Sequence, residues 1–236
     1  MTFSMKRVRA ILQKDYKDVS RNMYITTTLI LPLILAAFFG RIGGNTIDVH
    51  YLIINMALIL VATYVQSALV AEEKEKNTLR GLMLSPASIF EIFCGKSLLS
   101  FIASTVIIIL SALLTDYHPK NLLVIIIAIF LSSVFYLGLG TFIGLLTKSV
   151  MEASVAIMPA FVIFAFGSLI TPLMDQYPIL TIANYMPNLQ LIELAKQVEA
   201  GAGLADVLSH LAIIFVWIIA MYAVCLYVYK KRMVDE

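Results

Sequence analysis

Long apolar runs alternate with short polar segments along this chain, a pattern that predicts membrane-spanning helices. Six runs contain no Asp, Glu, Lys, Arg or His, and each is at least 18 residues long. About 20 apolar residues, at a rise of 1.5 Å per residue, cross the hydrocarbon core of a bilayer. We therefore predict six spans, at residues 23–40, 51–71, 97–114, 122–146, 153–173 and 211–229.

The composition supports a membrane protein and argues against a soluble domain. Apolar residues make up 61% of the 236 positions, charged residues make up 14%, and the mean hydropathy is +0.92. A soluble domain carries roughly 45–50% apolar and about 25% charged residues. The predicted fold class is an all-α integral membrane protein with a single transmembrane domain, residues 1–236. Cys94 precedes the third span and Cys225 lies within the last, so no disulfide is expected.

The distribution of Lys and Arg predicts the orientation of the chain. Six spans place both termini on one side, together with the loops 72–96 and 147–152. That side holds fourteen of the seventeen basic residues, and the opposite side holds only Arg41, Lys120 and Lys196. The positive-inside rule makes the basic side cytoplasmic. We expect a plasma membrane protein, of bacterial type, with both termini in the cytoplasm and with no nucleic-acid partner.

Two amphipathic segments are predicted outside the spans. In residues 1–21, Val8, Ile11, Leu12 and Val19 share one helical face among basic positions, which is typical of an interfacial helix at the inner leaflet. A solvated basic tail is the alternative. In residues 174–210, between spans five and six, one more apolar stripe predicts an amphipathic or re-entrant helix at the outer leaflet. That stripe consists of Leu191, Leu194, Ala195 and Val198.

The charged loop 72–96 is predicted to contain a helix and the start of the third span. Residues 72–84 favour a helix, with Glu72 and Lys76 at the stabilising i,i+4 spacing, and Ser85-Pro86 ends it. Ser88 and Glu91 then have the spacing of a capping box. The next helix is therefore expected to begin near residue 89, outside the membrane.

The chain offers little catalytic chemistry. Gly95-Lys96-Ser97 resembles the end of a phosphate-binding loop, but Phe90 stands where that motif requires glycine. The three histidines are not spaced as metal ligands, and no span carries a charge that could bind a coupling ion. We therefore expect no enzymatic activity and no cofactor in this chain, and any transport must take its energy from outside the spans.

Uncharged polar residues within the spans suggest either a substrate path or contacts between helices. Asn55 and Gln66 lie within about 20° on a regular helix, with Thr63 about 60° from Gln66, and Thr27 lies in the first span. These four residues are the candidate path residues. Hydrogen bonding between helices is the alternative and the commoner role of such side chains. Gly140 and Gly144 form a G-xxx-G pair that predicts close helix packing.

The loop after the second span carries a distinctive order of motifs: an acidic-basic-acidic run, Thr-Leu, a Ser-Pro turn, and Gly-Lys at the third span. The residues are Glu72, Glu73, Lys74, Glu75, Thr78, Leu79, Leu84, Ser85, Pro86, Ala87, Ser88, Glu91, Ile92, Gly95 and Lys96. Together with the order of spans and flanking helices, these motifs resemble the permease subunits of type-2 ATP-binding cassette exporters over essentially the whole chain.

The resemblance implies half of a transporter, paired with an identical or sister permease in the lipid bilayer and driven by two cytoplasmic ATPase subunits. ATP and Mg²⁺ would be bound by the ATPase. The segment 72–84 would be the coupling helix seated on it, although Gly81 costs about 1 kcal/mol within a helix. The implied coupling residues are Glu72, Glu73, Lys74, Glu75, Thr78, Leu79, Leu82, Met83, Ser85 and Pro86. The path would run between the two permeases, lined by spans one, two and five.

The predicted function is therefore the export of an amphipathic or hydrophobic substrate, such as a drug, lipid or peptide. The alternative is a scaffold or immunity-type membrane protein of the same topology, which binds a ligand without pumping it. Purification with an ATPase would distinguish the two.

Overall fold

The computed structural model describes residues 4–44, 46–76, 78, 89–174 and 176–235, and every regular element among them is helical. Nine α-helices are found in these residues. They are α1 (Met5–Arg21), α2 (Met23–Ile42), α3 (Ile47–Ala57), α4 (Tyr64–Glu75), α5 (Ile89–Leu114), α6 (Leu122–Leu146), α7 (Val150–Ala165), α8 (Pro187–Glu199) and α9 (Leu208–Asp235).

Five continuous helical segments in the described chain are long and apolar enough to cross a membrane. They are Ile25–Ile42, Ile47–Glu75, Cys94–Leu114, Leu122–Leu146 and Leu208–Lys231. The second consists of α3 and α4 joined by a π-helical segment, Leu58–Thr63. The wider turns of a π-helix change the angle between residues on either side of it. The regular 100° spacing used to compare Asn55 with Gln66 therefore does not apply here.

The predicted fifth span, 153–173, is not one continuous α-helix. α7 has 16 residues, which makes it about 24 Å long, and a 3₁₀ segment, Gly167–Leu173, follows it. The side-chain amide of Asn188 donates to the carbonyls of Ile163 and Phe164 at 3.3 and 3.2 Å. It thereby satisfies groups that the end of a helix leaves unpaired. Gly167 leaves room for this amide, since a Cβ there would lie 2.3 Å from Asn188 Nδ2.

The second span forms the centre of the bundle, and its apolar segment is buried throughout by the other helices. α6 packs along it through the predicted glycine pair. A Cβ at Gly140 would lie 2.4 Å from the carbonyl oxygen of Thr63, and one at Gly144 would lie 2.7 Å from that of Ser67. Only glycine allows the two backbones to approach this closely.

α1 packs against α5 of the same chain, which differs from the predicted burial of its apolar face in lipid. Val8 and Ile11 are buried in this contact, while Leu12 and Val19 are partly buried. Gly95 of α5 lies directly under Ile11, where an added Cβ would approach the Ile11 side chain to 2.9 Å. The amphipathic pattern was correct, but protein covers the buried part of its apolar face.

The apolar stripe of α8 also packs against protein and not against the outer leaflet. Leu191, Leu194, Ala195 and Val198 are all buried, in contact with α3, α6 and α9. Before α8, a second 3₁₀ segment, Pro178–Tyr185, exposes the apolar side chains of Ile179, Ile182 and Tyr185. There the indole of Trp217, on α9, donates to the carbonyl of Tyr185 at 2.7 Å.

Candidate functional site

Charged side chains concentrate where the C-terminal turn of α4 meets α1 and the start of α5, a region called here the α1 end of the bundle. The run 72–76 belongs to the last turn of the second span, because α4 continues to Glu75 and Lys76 caps it. The backbone N–H of Thr78 bonds the carbonyl of Glu73 at 2.8 Å, a contact typical of a helix C-terminus.

Residues 72–75 are helical, as predicted, but they continue the second span instead of starting a separate helix. Lys76 and Glu72 do form the predicted i,i+4 pair, at 2.6 Å. Five predicted coupling residues lie outside the described part of the chain, as does Ser88 of the predicted capping box. The five are Leu79, Leu82, Met83, Ser85 and Pro86.

Lys74 and Glu75 connect the end of α4 to two other helices. The Lys74 ammonium donates to the carbonyls of Leu145, at 2.8 Å, and of Thr147, at the C-terminal end of α6. Glu75 accepts the backbone N–H of Val150, the first residue of α7, at 3.0 Å. A cation at a helix C-terminus and an anion at an N-terminus both complement the helix dipole. The two side chains therefore attach α4 to α6 and α7.

Glu73 points inward to a cluster of four charged residues. Its carboxylate binds the ammonium groups of Lys14, from α1, and of Lys96, from α5, the latter at 3.0 Å. Asp15 of α1 lies 3.4 Å from the Lys96 ammonium. We call Lys14, Asp15, Glu73 and Lys96 the buried quartet, because all but Lys14 are at most 3% exposed.

The pKa values of Asp15 and Lys14, the two members of the quartet on α1, are set by different balances of burial and neighbouring charge. Burial raises the pKa of Asp15 to about 6, because the favourable charges of Lys96 and Lys14 offset only part of the cost of removing a carboxylate from water. Burial lowers the pKa of Lys14, but its hydrogen bond to Glu73 and the surrounding carboxylates raise that pKa more, so the net shift is upward.

A second ion pair holds the other end of α1. Arg7 contacts the buried carboxylate of Glu91 at 3.3 Å, and the same carboxylate accepts the backbone N–H of Ser4. α1 is thus attached to α5 at both of its ends and by the apolar contact between them.

Sequence reasoning did not identify Lys14 and Asp15 as part of this site. The signal was present: Asp15 lies four residues after Ile11 and four before Val19, on the apolar face of α1. A carboxylate on a face that packs against protein needs a buried partner, and Lys96 supplies it.

The predicted path residues within the second span are buried inside a single chain. Gln66 donates to Ser97 and Thr141 at 3.3 and 3.1 Å and accepts from Ser100 at 3.1 Å. Thr63 donates to the carbonyl of Tyr136 at 2.9 Å. Both side chains are buried and bonded to neighbouring helices, which favours the alternative interpretation, while their place in a path stays a prediction.

Asn55 is also buried, within reach of the Tyr136 hydroxyl at 3.5 Å. Its place in the path therefore stays a prediction, for a residue that is buried in the single chain. The alternative interpretation, contact between helices, describes all three residues. Thr27 of α2 is exposed, with its hydroxyl bonded to the carbonyl of Met23 at 2.9 Å, and remains a candidate.

The opposite end of the bundle, called here the α8 end, contains a small polar cavity of about 290 Å³. Lys196 and Asp48 form an ion pair at 2.7 Å on its wall. Nearby, the His50 ring stacks on Tyr117, and its Nδ1 lies 3.1 Å from the Thr115 hydroxyl. These contacts fasten α3 to α8 and to the end of α5.

Comparison with known proteins identifies the family. A search of curated proteins finds no significant match. A model of the family described as "ABC-2 family transporter protein" matches residues 49–227, which is more than two thirds of the chain. The match includes the second span, the loop that follows it, and all later helices up to the last turns of α9. This chain therefore belongs to the ABC-2 transporter family, as a membrane-spanning permease component of an ABC transporter.

Proposed function

We propose that this chain is the permease half of an ATP-driven exporter, which works with a second permease and with separate ATPase subunits. The observation that carries the proposal is the set of contacts made by residues 72–76. Through these contacts, the last turn of α4, which leads into the loop after the second span, is connected to α1, α5, α6 and α7.

These contacts provide a physical route for coupling. A displacement of the loop after α4 pulls on Lys74 and Glu75, which are bound to backbone groups at the facing ends of α6 and α7. Both contacts involve a charge and a backbone dipole, so they are stronger than neutral hydrogen bonds. Binding of the ATPase to the loop would therefore move α7 together with α4.

The path is proposed to lie on exposed surfaces of α2 and α7, where the second permease would face this chain. α7 presents an apolar stripe of four exposed residues at helical spacing, and α2 presents a similar face near Thr27. These residues are Met151, Val155, Met158 and Val162 on α7, and Ile30, Ile34 and Phe38 on α2. Such walls favour an amphipathic or hydrophobic substrate, since they offer large apolar area and no charge.

The α1 end is proposed to face the cytoplasm, where the ATPase hydrolyses ATP with Mg²⁺ and the permease itself has no hydrolytic role. Fourteen basic residues lie on this side in the predicted topology. The isolated chain should therefore show no ATP hydrolysis, while the reconstituted complex should show hydrolysis that an exported ligand stimulates.

The test is reconstitution of the chain with an ATPase that purifies with it, followed by measurement of ligand-stimulated ATP hydrolysis and transport. Lys74→Met removes the bonds between the Lys74 ammonium and the C-terminal end of α6, and it does not alter the sequence of the loop after α4. We expect this variant to bind the ATPase and keep basal hydrolysis but to lose most of the ligand stimulation. Lys148→Met is the matched control, because Lys148 is exposed and lies in the adjoining loop.

Two results would contradict the proposal. Failure of the chain to purify with any ATPase, together with ligand binding but no stimulated hydrolysis, would favour the non-pumping scaffold. Full stimulation in Lys74→Met would show that coupling does not pass through the bonds between Lys74 and the end of α6.

A further inference from the structure

The buried quartet leaves one of its members poorly satisfied. Both ammonium groups lie closer to Glu73 than to Asp15: Lys96 is 3.0 Å from Glu73 and 3.4 Å from Asp15, and Lys14 is 3.8 Å from Asp15. The second carboxylate oxygen of Asp15, Oδ2, is buried and has no hydrogen-bond partner among the described residues. Asp15 itself is fully buried. A buried carboxylate with an unpaired oxygen is costly to keep ionised.

We propose that the buried quartet is a proton-sensitive attachment for α1, in which proton binding at Asp15 tightens the packing of α1 against α5 and its ionisation loosens it. Glu73 retains both lysines in either state, so the attachment is weakened by ionisation and not abolished. This inference concerns how α1 is held and stands independently of the proposed function.

The direction of the effect follows from linkage. Asp15 has a pKa of about 6 when α1 is attached, against 3.8 for an aspartate in water. The attached state therefore binds a proton more tightly than the detached state, and attachment strengthens as the pH falls from about 7 towards 4. The same two values give an attachment constant about fourfold higher at pH 5.5, and about tenfold higher at pH 5.0, than at pH 7.5.

The other charged groups around Asp15 do not account for a change in the attachment of α1 between pH 7.5 and 5.0. Lys96 faces it from α5, Glu73 from α4, and Lys14 and Asp18 from α1 itself. The raised pKa of Lys14 keeps that side chain protonated throughout this pH range. The three histidines are at positions 50, 118 and 210, beyond the ends of the spans furthest from α1 in the predicted topology.

Hydrogen exchange of the α1 amides, measured by mass spectrometry on the full chain in lipid nanodiscs, tests the proposal. Each rate is divided by its intrinsic rate at that pH, and a peptide from α6, which contains no carboxylate, lysine or histidine, serves as the internal reference. We expect protection of α1 to be about tenfold higher at pH 5.0 than at pH 7.5, with the α6 peptide unchanged.

Asp15→Asn mimics the protonated side chain and should abolish this pH dependence, with α1 already well protected at pH 7.5. Asp18→Asn is the matched control: it removes the same charge from the same helix, but at a partly exposed side chain that pairs with Lys76 and Lys14. It should keep the pH response of the wild type.

Three outcomes would overturn the proposal. The first is α1 protection in the wild type that stays constant or falls on acidification. The second is an unchanged pH response in Asp15→Asn. The third is loss of α1 protection in Asp15→Asn at both pH values, which would mean that the ionised carboxylate holds α1 as an ordinary ion pair.

Discussion

Replacement of Gln66 by Leu tests whether the polar residues of the second span hold the bundle together. Gln66 is fully buried and makes three side-chain hydrogen bonds, to Ser97, Ser100 and Thr141. These bonds join α4 to both α5 and α6. Leucine has a similar volume and makes none of them, so the substitution removes the polar contacts while keeping the core filled.

The expected cost follows from the number of bonds lost. Interhelical hydrogen bonds in membrane proteins contribute about 0.6 kcal/mol each on average, so the loss of three gives about 2 kcal/mol. That change corresponds to a factor of about 30 in the unfolding equilibrium. Thr141 also donates to the carbonyl of Leu137 at 2.9 Å, so its hydroxyl keeps a partner in the variant and adds no further penalty.

The assay is unfolding by SDS in mixed micelles, followed by circular dichroism, with the purified complex yield as a second measure. Gln66→Leu should unfold at a clearly lower SDS fraction than the wild type. Gln13→Leu is the control, because Gln13 is exposed on α1 and surface substitutions usually change stability by less than about 0.5 kcal/mol.

The opposite result would refute the assignment of these contacts. If Gln66→Leu had wild-type stability and yield but altered substrate preference, Gln66 would have to face the path. The hydrogen bonds to Ser97, Ser100 and Thr141 would then not be what keeps Gln66 in the core.

Three further predictions concern packing and topology. Gly140→Ala should destabilise the chain by about 1–3 kcal/mol in the same assay, because its Cβ would collide with the carbonyl of Thr63; wild-type stability would contradict the close approach. Asn188→Ala should destabilise the chain by about 1–2 kcal/mol and raise hydrogen exchange at the end of α7. Unchanged exchange there would mean that the Asn188 amide does not hold the end of that helix. Cysteine should be labelled from outside intact cells at Lys196→Cys but not at Lys148→Cys, and the reverse pattern would invert the proposed orientation.

Membership of the family and the all-helical membrane fold could be predicted from the sequence, because both depend on local patterns. The run 122–146 has the bounds of α6, since an uncharged apolar run between polar ends defines a helix without knowledge of its neighbours. The spacing of Gly140 and Gly144 likewise predicts a close helix contact, which the structure contains.

What surrounds each face could not be predicted in the same way. In a membrane protein, lipid and protein core are both apolar, so hydropathy does not distinguish a lipid-facing side chain from a buried one. The pattern alone therefore predicts lipid beside both the stripe of α8 and the apolar face of α1, although protein covers the stripe and the buried part of the α1 face. Gln66 was open to two interpretations for the same reason, and only the positions of α5 and α6 decide between them.

Two local departures from regular helix were also beyond the sequence. The π-helical segment Leu58–Thr63 contains no glycine or proline that would mark it. The end of α7 depends on Asn188, more than twenty residues later in the chain. Both are consequences of tertiary packing, which overrides local helix preference.

The contact between Trp217 and the carbonyl of Tyr185 gives the protein a built-in optical probe. Trp217 is the only tryptophan in the sequence, so the indole fluorescence of the unmodified chain comes from one site. That site joins α9 to the 3₁₀ segment before α8, where a change in the indole hydrogen bond would shift the emission. Structural change at the α8 end can therefore be followed in real time without labels, mutations or removal of the native cysteines.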